Sequence, residues 1–448
     1  MTQNTPVPHA SREAFILTGA FRVICRNSRY LQELADRGLA VLVISLDSCR
    51  DQAEKAMADP DNPASWISET AYVSGSLDRE SSFTPGVFAV LQRWRDQYRV
   101  RGVFAMEETL VEPTGMVCDV LGLPGVGLRA GRVCRSKYLQ RAYLEALGPR
   151  TLTVPPGGRG SGGLGALRYP VVVKPATRHA SSGVVSCDTP EEAASVMTSY
   201  PDHETLLVEE RVNGQEYSVE SLVQEGRTVF SSLTRKETTG SGSGFVELSH
   251  TVPGAAPDAS LSKKILQANA SLLGDLSFEN GVTHSEWRID GNGQPRLMEV
   301  AARTPGDGIT ALYELACGKP MEAPIVRIAL GETASYPHPR RVARQVYLEH
   351  PHGVLEDVTL DWSGIRVTWL GRADLWPRVR PGVPGDAPAL RGVLVFKERG
   401  TLLGDLASSD DRAVSFLVDA DTEAELDELE ARVRSAISIR VKEDTRVP

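Results

Sequence analysis

The chain has 448 residues, a formal net charge of −9 and an apolar content of 41%. A length of this order holds two to four domains of ordinary size, and the apolar share is enough for globular cores. The acidic balance argues against broad nucleic-acid binding, which needs a basic face. No apolar run approaches the roughly 20 residues that cross a bilayer, so no membrane partner is expected. The opening stretch MTQNTPVPHASREA lacks the charged and apolar segments of a signal peptide, so a cytoplasmic address is expected. Six scattered cysteines without a CxxC pair read as reduced, mostly buried thiols. The histidines form no HxxxH or HExxH pattern, and nothing near His350 and His352 completes a metal site.

In chain order, residues 14–18 read as a buried strand, Arg29–Arg37 as a helix stopped by Gly38, and Leu39–Leu46 as a second buried strand. Strand, helix, strand in that order predicts a parallel α/β unit. Val87–Tyr98 reads as helical, Val103–Met106 as a strand and Glu112–Leu121 as a helix, so residues 1–128 are expected to form an open α/β domain. A smaller unit, 129–205, opens with a helix over Ser136–Leu147. It continues through a Pro/Gly loop (Pro155–Gly165), the strand Pro170–Lys174, a Ser/Gly loop and a helix from Glu191. A central unit, 206–340, holds the strand Leu206–Glu210 and a pair around the Glu225-Gly226 turn. The helix Ser260–Leu273 and a hairpin over 283–303 complete it. The remainder, 341–448, is rich in strands and ends in the helix Thr422–Ala436 and the strand Ile437–Val441.

Several segments carry chemistry. Gly160–Gly165 matches GxGxxG, but a strand follows it rather than a helix, which excludes the dinucleotide fingerprint; there is no GxxxxGK[ST] either. The segment VVVKP ends an apolar strand on Lys174, directly before Thr177–Gly183. Lysine is rarely buried unless paired, so Lys174 calls for an anion, toward which a Ser/Gly loop can turn its N–H groups. The plainer alternative is a snorkelling lysine at a strand end. Lys137 opens a helix, where free N–H groups favour anions; the plainer alternative is a surface lysine. In Glu209–Ser218 (EERVNGQEYS), hinge backbone can pair with an adenine edge and Glu216 can hold both ribose hydroxyls, or the stretch is only a polar connection.

The hairpin is the most informative element. With Asn292-Gly293 as a two-residue turn, Asp290 faces Pro295 and Glu286 faces Glu299. Like charges directly opposite each other are destabilising unless a cation lies between them, and magnesium takes carboxylate and phosphate oxygens. Arg303 falls on the same face beyond Glu299. The competing turn, Asp290-Gly291, would set Glu286 against Pro295 and remove the argument.

Taken together and in this order, these segments resemble the ATP-grasp superfamily, most specifically between Lys137 and Asp307. The resemblance implies an α/β and α+β protein with three parts: an N-terminal open parallel α/β domain, a small ATP-grasp lobe, and a larger antiparallel-sheet C-terminal lobe. It implies ATP and Mg2+, which Mn2+ can replace. Lys137 and Lys174 would meet the phosphates, and Ser181, Ser182 and Gly183 would cover them. Glu209, Glu210 and Val212 would line the adenine hinge, with Glu216 on the ribose and Glu286 and Glu299 on the metal.

Within that superfamily, THSEW followed by LMEVAAR looks like the L-amino-acid ligases, and residues 245–253 (FVELSHTVP) are similar to a segment near substrate there. The implied substrate residues are His284, Glu247, Arg303 and Gly306, with Arg303 and Lys174 as catalytic groups. The implied partners are a small-molecule carboxylate and an amine, joined with release of ADP and phosphate; a homodimer is compatible with the resemblance. Ala301 stands where many ATP-grasp enzymes have a metal-binding Asn, and Thr304–Asp307 (TPGD) replaces a more usual Gly-Gly run. The flexible stretch Thr238–Gly244 suits a lid. The rival readings are a bicarbonate-phosphorylating carboxylase type, a kinase-like enzyme and a silent nucleotide-binding module.

Overall fold

The computed structural model describes residues 12–443, apart from 161, 179–181, 240–245, 257 and 371–375. The N-terminal part is a four-stranded, all-parallel sheet in which Arg12–Thr18 and Ala40–Leu46 are central, flanked by Tyr98–Ala105 and Ile67–Val73. The two central strands are buried almost throughout, as expected where helices cover both faces. Thr84–Trp94 and Val111–Leu121 pack on one face. Phe21–Arg26 and Ser28–Asp36 pack on the other. The helix expected to end at Tyr98 stops at Trp94, and Tyr98 opens a strand.

A four-stranded antiparallel sheet follows, in the order Thr151–Val154, Leu206–Glu210, Val171–Pro175 and Val185–Cys187, covered by Pro190–Met197. Thr189 caps that helix by accepting the N–H of Glu192, which also places two acids in its first turn.

The largest element is a nine-stranded sheet running from Pro295–Ala301 at one edge through Gly281–Ile289, Glu216–Gln224, Arg227–Thr238, Glu247–Val252, Val342–Leu348, Val414–Ala420 and Ala389–Val395 to Val367–Trp369. One face of its first half packs Tyr217, Val219, Trp287 and Leu297 against the helix Ala259–Leu276. The other face meets the helices Ile309–Cys317 and Glu322–Ala329, which lie between this sheet and the N-terminal one. A three-stranded sheet centred on Gly353–Leu360 completes the chain, with the helix Glu423–Ala436 packed between it and the large sheet. The strand Leu206–Glu210 joins the small sheet, and the large sheet runs across residue 340. The expected divisions at 205/206 and 340/341 therefore do not coincide with sheet boundaries.

Two features of the expected hairpin differ. The loop is Gly291–Gly293, three residues long. Asp290 C=O accepts the N–H of Gly293, which takes φ +69, and Ile289 rather than Asp290 faces Pro295. That turn shifts the register by one, and a bulge at Met298 shifts it back, so Glu286 does face Glu299. The expected facing pair is present, reached through two irregularities that cancel. The helix expected over Ser136–Leu147 is confined to Lys137–Tyr143, and a separate helix, Gly127–Arg135, precedes it across the expected boundary at 128. The Glu225-Gly226 turn has both φ angles positive, as a tight hairpin turn requires.

Candidate active site

The polar face of the large sheet is a grid of cross-strand neighbours. One row runs His250, Lys236, Glu216, Arg288. The next runs Thr234, Ser218, Glu286, Glu299, and the third Ser232, Glu220, His284, Ala301. Period-two alternation puts these side chains on one face while their neighbours Tyr217, Val219 and Trp287 fill the core. So dense a set of charges is costly to bury unless each is paired, and the bonds provide the pairing. Lys236 Nζ lies 2.5 Å from Glu286 Oε1, with Glu216 and Glu247 at 3.8 and 3.9 Å. His284 bridges Glu220 (2.8 Å) and Glu286 (3.2 Å). Glu220 also accepts from Ser218, Thr234 and Tyr313.

These contacts separate the acids. Burial pushes Glu216 up despite Lys236 and Arg288, whereas at Glu286 the Lys236 and His284 charges outweigh burial and hold the carboxyl well below its ordinary value. Lys236 is likewise held as a cation: burial alone would lower it, and the three carboxylates raise it above the usual ammonium range.

Above this face opens a cleft of about 1120 Å³, which Glu286, Glu299, Arg303, Gly306, Glu247 and His284 help to line. Arg303 lies past the end of the strand Pro295–Ala301 and donates from Nε to Glu108 Oε2 (2.9 Å), a buried acid of the N-terminal part. Asp307, in a left-handed conformation (φ +52), is held by both arms of Arg412 (2.7 and 3.0 Å) and by His250 (2.8 Å). Arg412 stacks 3.9 Å over the Tyr347 ring. Glu247 accepts from Ser409.

Of the expected phosphate groups, Lys137 and Lys174 are both buried. Lys174 Nζ pairs with Glu209 Oε2 at 2.7 Å; Lys137 Nζ lies 3.1 Å from Glu299 and donates to the carbonyl of Arg178. Lys174 is thus no snorkelling lysine: it is 7% exposed and bound to an acid 3% exposed. The Glu209 carboxyl is taken up by two cations, Lys174 and Arg141. Arg141 takes both its oxygens (2.6 and 3.2 Å), and these cations outweigh burial and hold Glu209 at about 2. Glu210 is bound by Arg168, Glu216 by Arg288 (2.6 Å), and the Val212 carbonyl lies 3.5 Å from Arg288. Ser182 and Gly183 form a turn next to Tyr200, whose hydroxyl donates to the Gly183 carbonyl. Ser181 lies outside the described residues, as do residues 240–244 of the expected lid; Thr238 closes the strand Arg227–Thr238.

Two facing carboxylates, 26% and 28% exposed at the side chain and open to the cleft, offer the hard oxygen donors that suit magnesium or manganese. Each now rests against a lysine. Ala301 offers no further oxygen side chain. Elsewhere, among the described residues, Asp78, His203 and Glu204 gather within 4.8 Å, but Glu204 is already bound through both oxygens by Arg178. All six cysteines are free thiols, five of them buried.

Sequence reasoning missed Lys236, Glu220, Arg141 and Arg412. Lys236 carries a usable signal, because Ser232, Thr234 and Lys236 alternate with Leu233 and Arg235. Arg412 carries none, since its role depends on a contact 105 residues away.

Residues 167–311 match the model of a family described as the ATP-grasp domain. The structure resembles the crystal structure of an L-amino acid ligase from Bacillus licheniformis, with a TM-score of 0.71 at 17% identity over 97% of this chain and 100% of that one. It also resembles phosphoribosylglycinamide synthetase from Anaerococcus prevotii, with a TM-score of 0.64 at 16% identity over 96% and 100%. Residues 167–311 thus carry an ATP-grasp domain, and the fold of the chain is that of the ATP-grasp structures it resembles. In sequence it is similar to the alanine–anticapsin ligase of Bacillus subtilis, 26% identical over 244 residues, which are 46% of this chain and 50% of that one. It is also 29% identical over 157 residues to an ATP-grasp enzyme of Aspergillus fumigatus, 31% of this chain and 27% of that one. The chain therefore spans half or less of the length of the curated relatives it matches. Among the described residues no helix is long and apolar enough to cross a membrane.

Proposed function

We propose that this protein is an ADP-forming carboxylate–amine ligase that joins two amino acids or close analogues through an amide bond. The observation that carries the reading is the pair Glu286 and Glu299, facing each other on the wall of a large cleft with Arg303 beside them and the two buried lysines behind. The named relatives support the amino-acid class.

The reaction has two steps. A substrate carboxylate oxygen attacks the γ-phosphorus of ATP, and the bond to the bridging oxygen breaks to release ADP. An amine nitrogen then attacks the acyl carbon, loses a proton and expels phosphate. The obstacle is charge, since a polyanion and a carboxylate must meet, so catalysis is positioning and neutralisation. Lys174 and Lys137 supply fixed cations to the phosphates; Lys174 has three N–H donors and keeps Glu209 while it meets phosphate, whereas Lys137 gives up Glu299. Arg303, kept in place by Glu108, orients the carboxylate and then stabilises the oxyanion of the tetrahedral stage. Magnesium bound by Glu286 and Glu299 would neutralise phosphate oxygens there.

The test is an ADP-release screen over pairs of amino acids with ATP and magnesium, with mass spectrometry of the products. ADP, phosphate and an amide product are expected. AMP and pyrophosphate would overturn the mechanism, and ADP release with bicarbonate alone would favour the carboxylase-type reading.

A further inference from the structure

The short helix Lys137–Tyr143 presents three buried side chains, Lys137, Gln140 and Arg141, on one face. Each reaches a different part of the candidate site. Lys137 meets Glu299. The Gln140 amide clamps Val300, accepting its N–H at 3.0 Å and donating to its C=O at 3.0 Å. Val300 lies on the sheet's outermost strand, beyond which no further strand pairs among the described residues, so Gln140 stands in for a missing strand at this position.

Arg141 spans the two lobes. Its Nε and Nη2 hold the Glu209 carboxylate, and Nη2 also donates to the carbonyl of Met298 at 2.7 Å. Glu209 in turn holds Lys174. Met298 is the bulge residue that returns Glu299 to its place opposite Glu286. A continuous line of bonds thus runs from Lys174 through Glu209 and Arg141 to the backbone beside Glu299.

We propose that Arg141 is a positioning residue that fixes the reach of the phosphate-binding Lys174 relative to the metal-binding pair, so that nucleotide and magnesium binding are coupled through it. The inference rests on the ligase reading of this site, in which one triphosphate touches both ends of the line. Guanidinium suits the task because its planar fork serves a carboxylate and a carbonyl at once, whereas an ammonium on a flexible stem holds one partner with less directional control. Sites of this kind require placement within about 0.5 Å.

The experiment uses the full chain and three variants, Arg141→Lys, Arg141→Gln and Gln140→Met, with ATP affinity measured by calorimetry in chelator and in saturating magnesium. The quantity read is the ratio of the two affinities. Arg141→Lys keeps a cation on Glu209 but releases Met298. Its affinity for ATP alone should fall less than about threefold, while the tightening by magnesium should shrink about tenfold. Gln140→Met should shrink the same ratio and speed hydrogen exchange at the Val300 amide. A merely structural role would lower the melting temperature and leave the ratio at its wild-type value. That result, in the folded Arg141→Lys and Gln140→Met proteins, overturns the proposal even if Arg141→Gln fails to fold. A wild-type chain that binds ATP under neither condition refutes the ligase reading instead, and the coupling with it.

Discussion

Replacing Lys174 by methionine separates two roles that the structure gives this side chain. In the folded protein Lys174 neutralises Glu209; in the proposed reaction it binds phosphate. Removing one partner of a buried ion pair costs about 3–5 kcal/mol when the other charge is left alone. Glu209 is not left alone, because Arg141 still grips both its oxygens, so the loss falls nearer the roughly 1–3 kcal/mol of a single buried polar contact. The phosphate contact is charge-assisted and contributes roughly 1.5–3 kcal/mol, which corresponds to a loss of about tenfold to a hundredfold in ATP affinity.

The variant also carries a pH signature. Glu209 titrates at about 2 rather than its ordinary 4.5: burial by itself would raise it, and Arg141 and Lys174 together outweigh burial. A carboxyl depressed on folding contributes stability that is present above pH 4.5 and lost as pH falls toward 2. With Lys174 gone, one of the two cations is gone, and the acid limb of the stability curve should move to higher pH. Urea unfolding between pH 2.5 and about 7, with calorimetric ATP titration at neutral pH, reads both effects. Unchanged ATP affinity in a folded, less stable Lys174→Met protein would refute the phosphate role and leave Lys174 as a partner of Glu209 only.

Three further outcomes are expected. Glu286→Gln and Glu299→Gln should each abolish magnesium-dependent ADP release while leaving the circular dichroism spectrum intact; normal turnover in either removes the metal assignment. Asp307→Asn keeps a residue type that tolerates a positive φ but takes from the buried Arg412 its nearer counter-charge and leaves it Glu247 at 3.8 Å. It should lower unfolding stability by roughly 1–3 kcal/mol, and a change under about 0.5 kcal/mol would show the contact to be idle. Glu314 is raised to about 7, mainly by burial, although Arg29 pulls it down. A raised carboxyl contributes stability that is full below pH 4.5 and lost as pH rises through about 7, so Glu314→Gln should flatten the thermal stability profile between pH 5 and about 8; an unaltered slope contradicts this.

Local chemistry was legible in the sequence where it was governed by period and punctuation. The strand carrying Lys174, the Glu225-Gly226 turn and the helix opening at Glu191 each follow from a few adjacent residues, and each is present to within a residue. The hairpin shows the limit of that reasoning. An Asn-Gly pair predicts a two-residue turn, but Asp290 accepts backbone N–H groups from Asn292 and Gln294, which favours the longer loop. A bulge at Met298 then restores the register, and no local residue announces it; Arg141, 157 residues away, holds it in place. The same reason hides the occupations of Glu209 and Glu216. Their spacing fits a hinge, but which cation meets each acid is decided by packing between lobes. The helices Ile309–Cys317 and Glu322–Ala329 escaped notice; both are short, and both are buried between two sheets.

The large sheet draws five of its strands from before residue 340 and four from after it. The strand Glu247–Val252, which carries His250, is paired on its far side by Val342–Leu348, and Arg412 arrives from beyond that. A polypeptide severed at 340 would end with a bare row of N–H and C=O groups along Glu247–Val252, a template for joining other chains. It would also lose the guanidinium that steadies Asp307. The last quarter of the chain is therefore not an appendage that recombination can exchange freely. The wall of the cleft and the protection of that edge are written into the same strands, so a graft that alters one has to preserve the other.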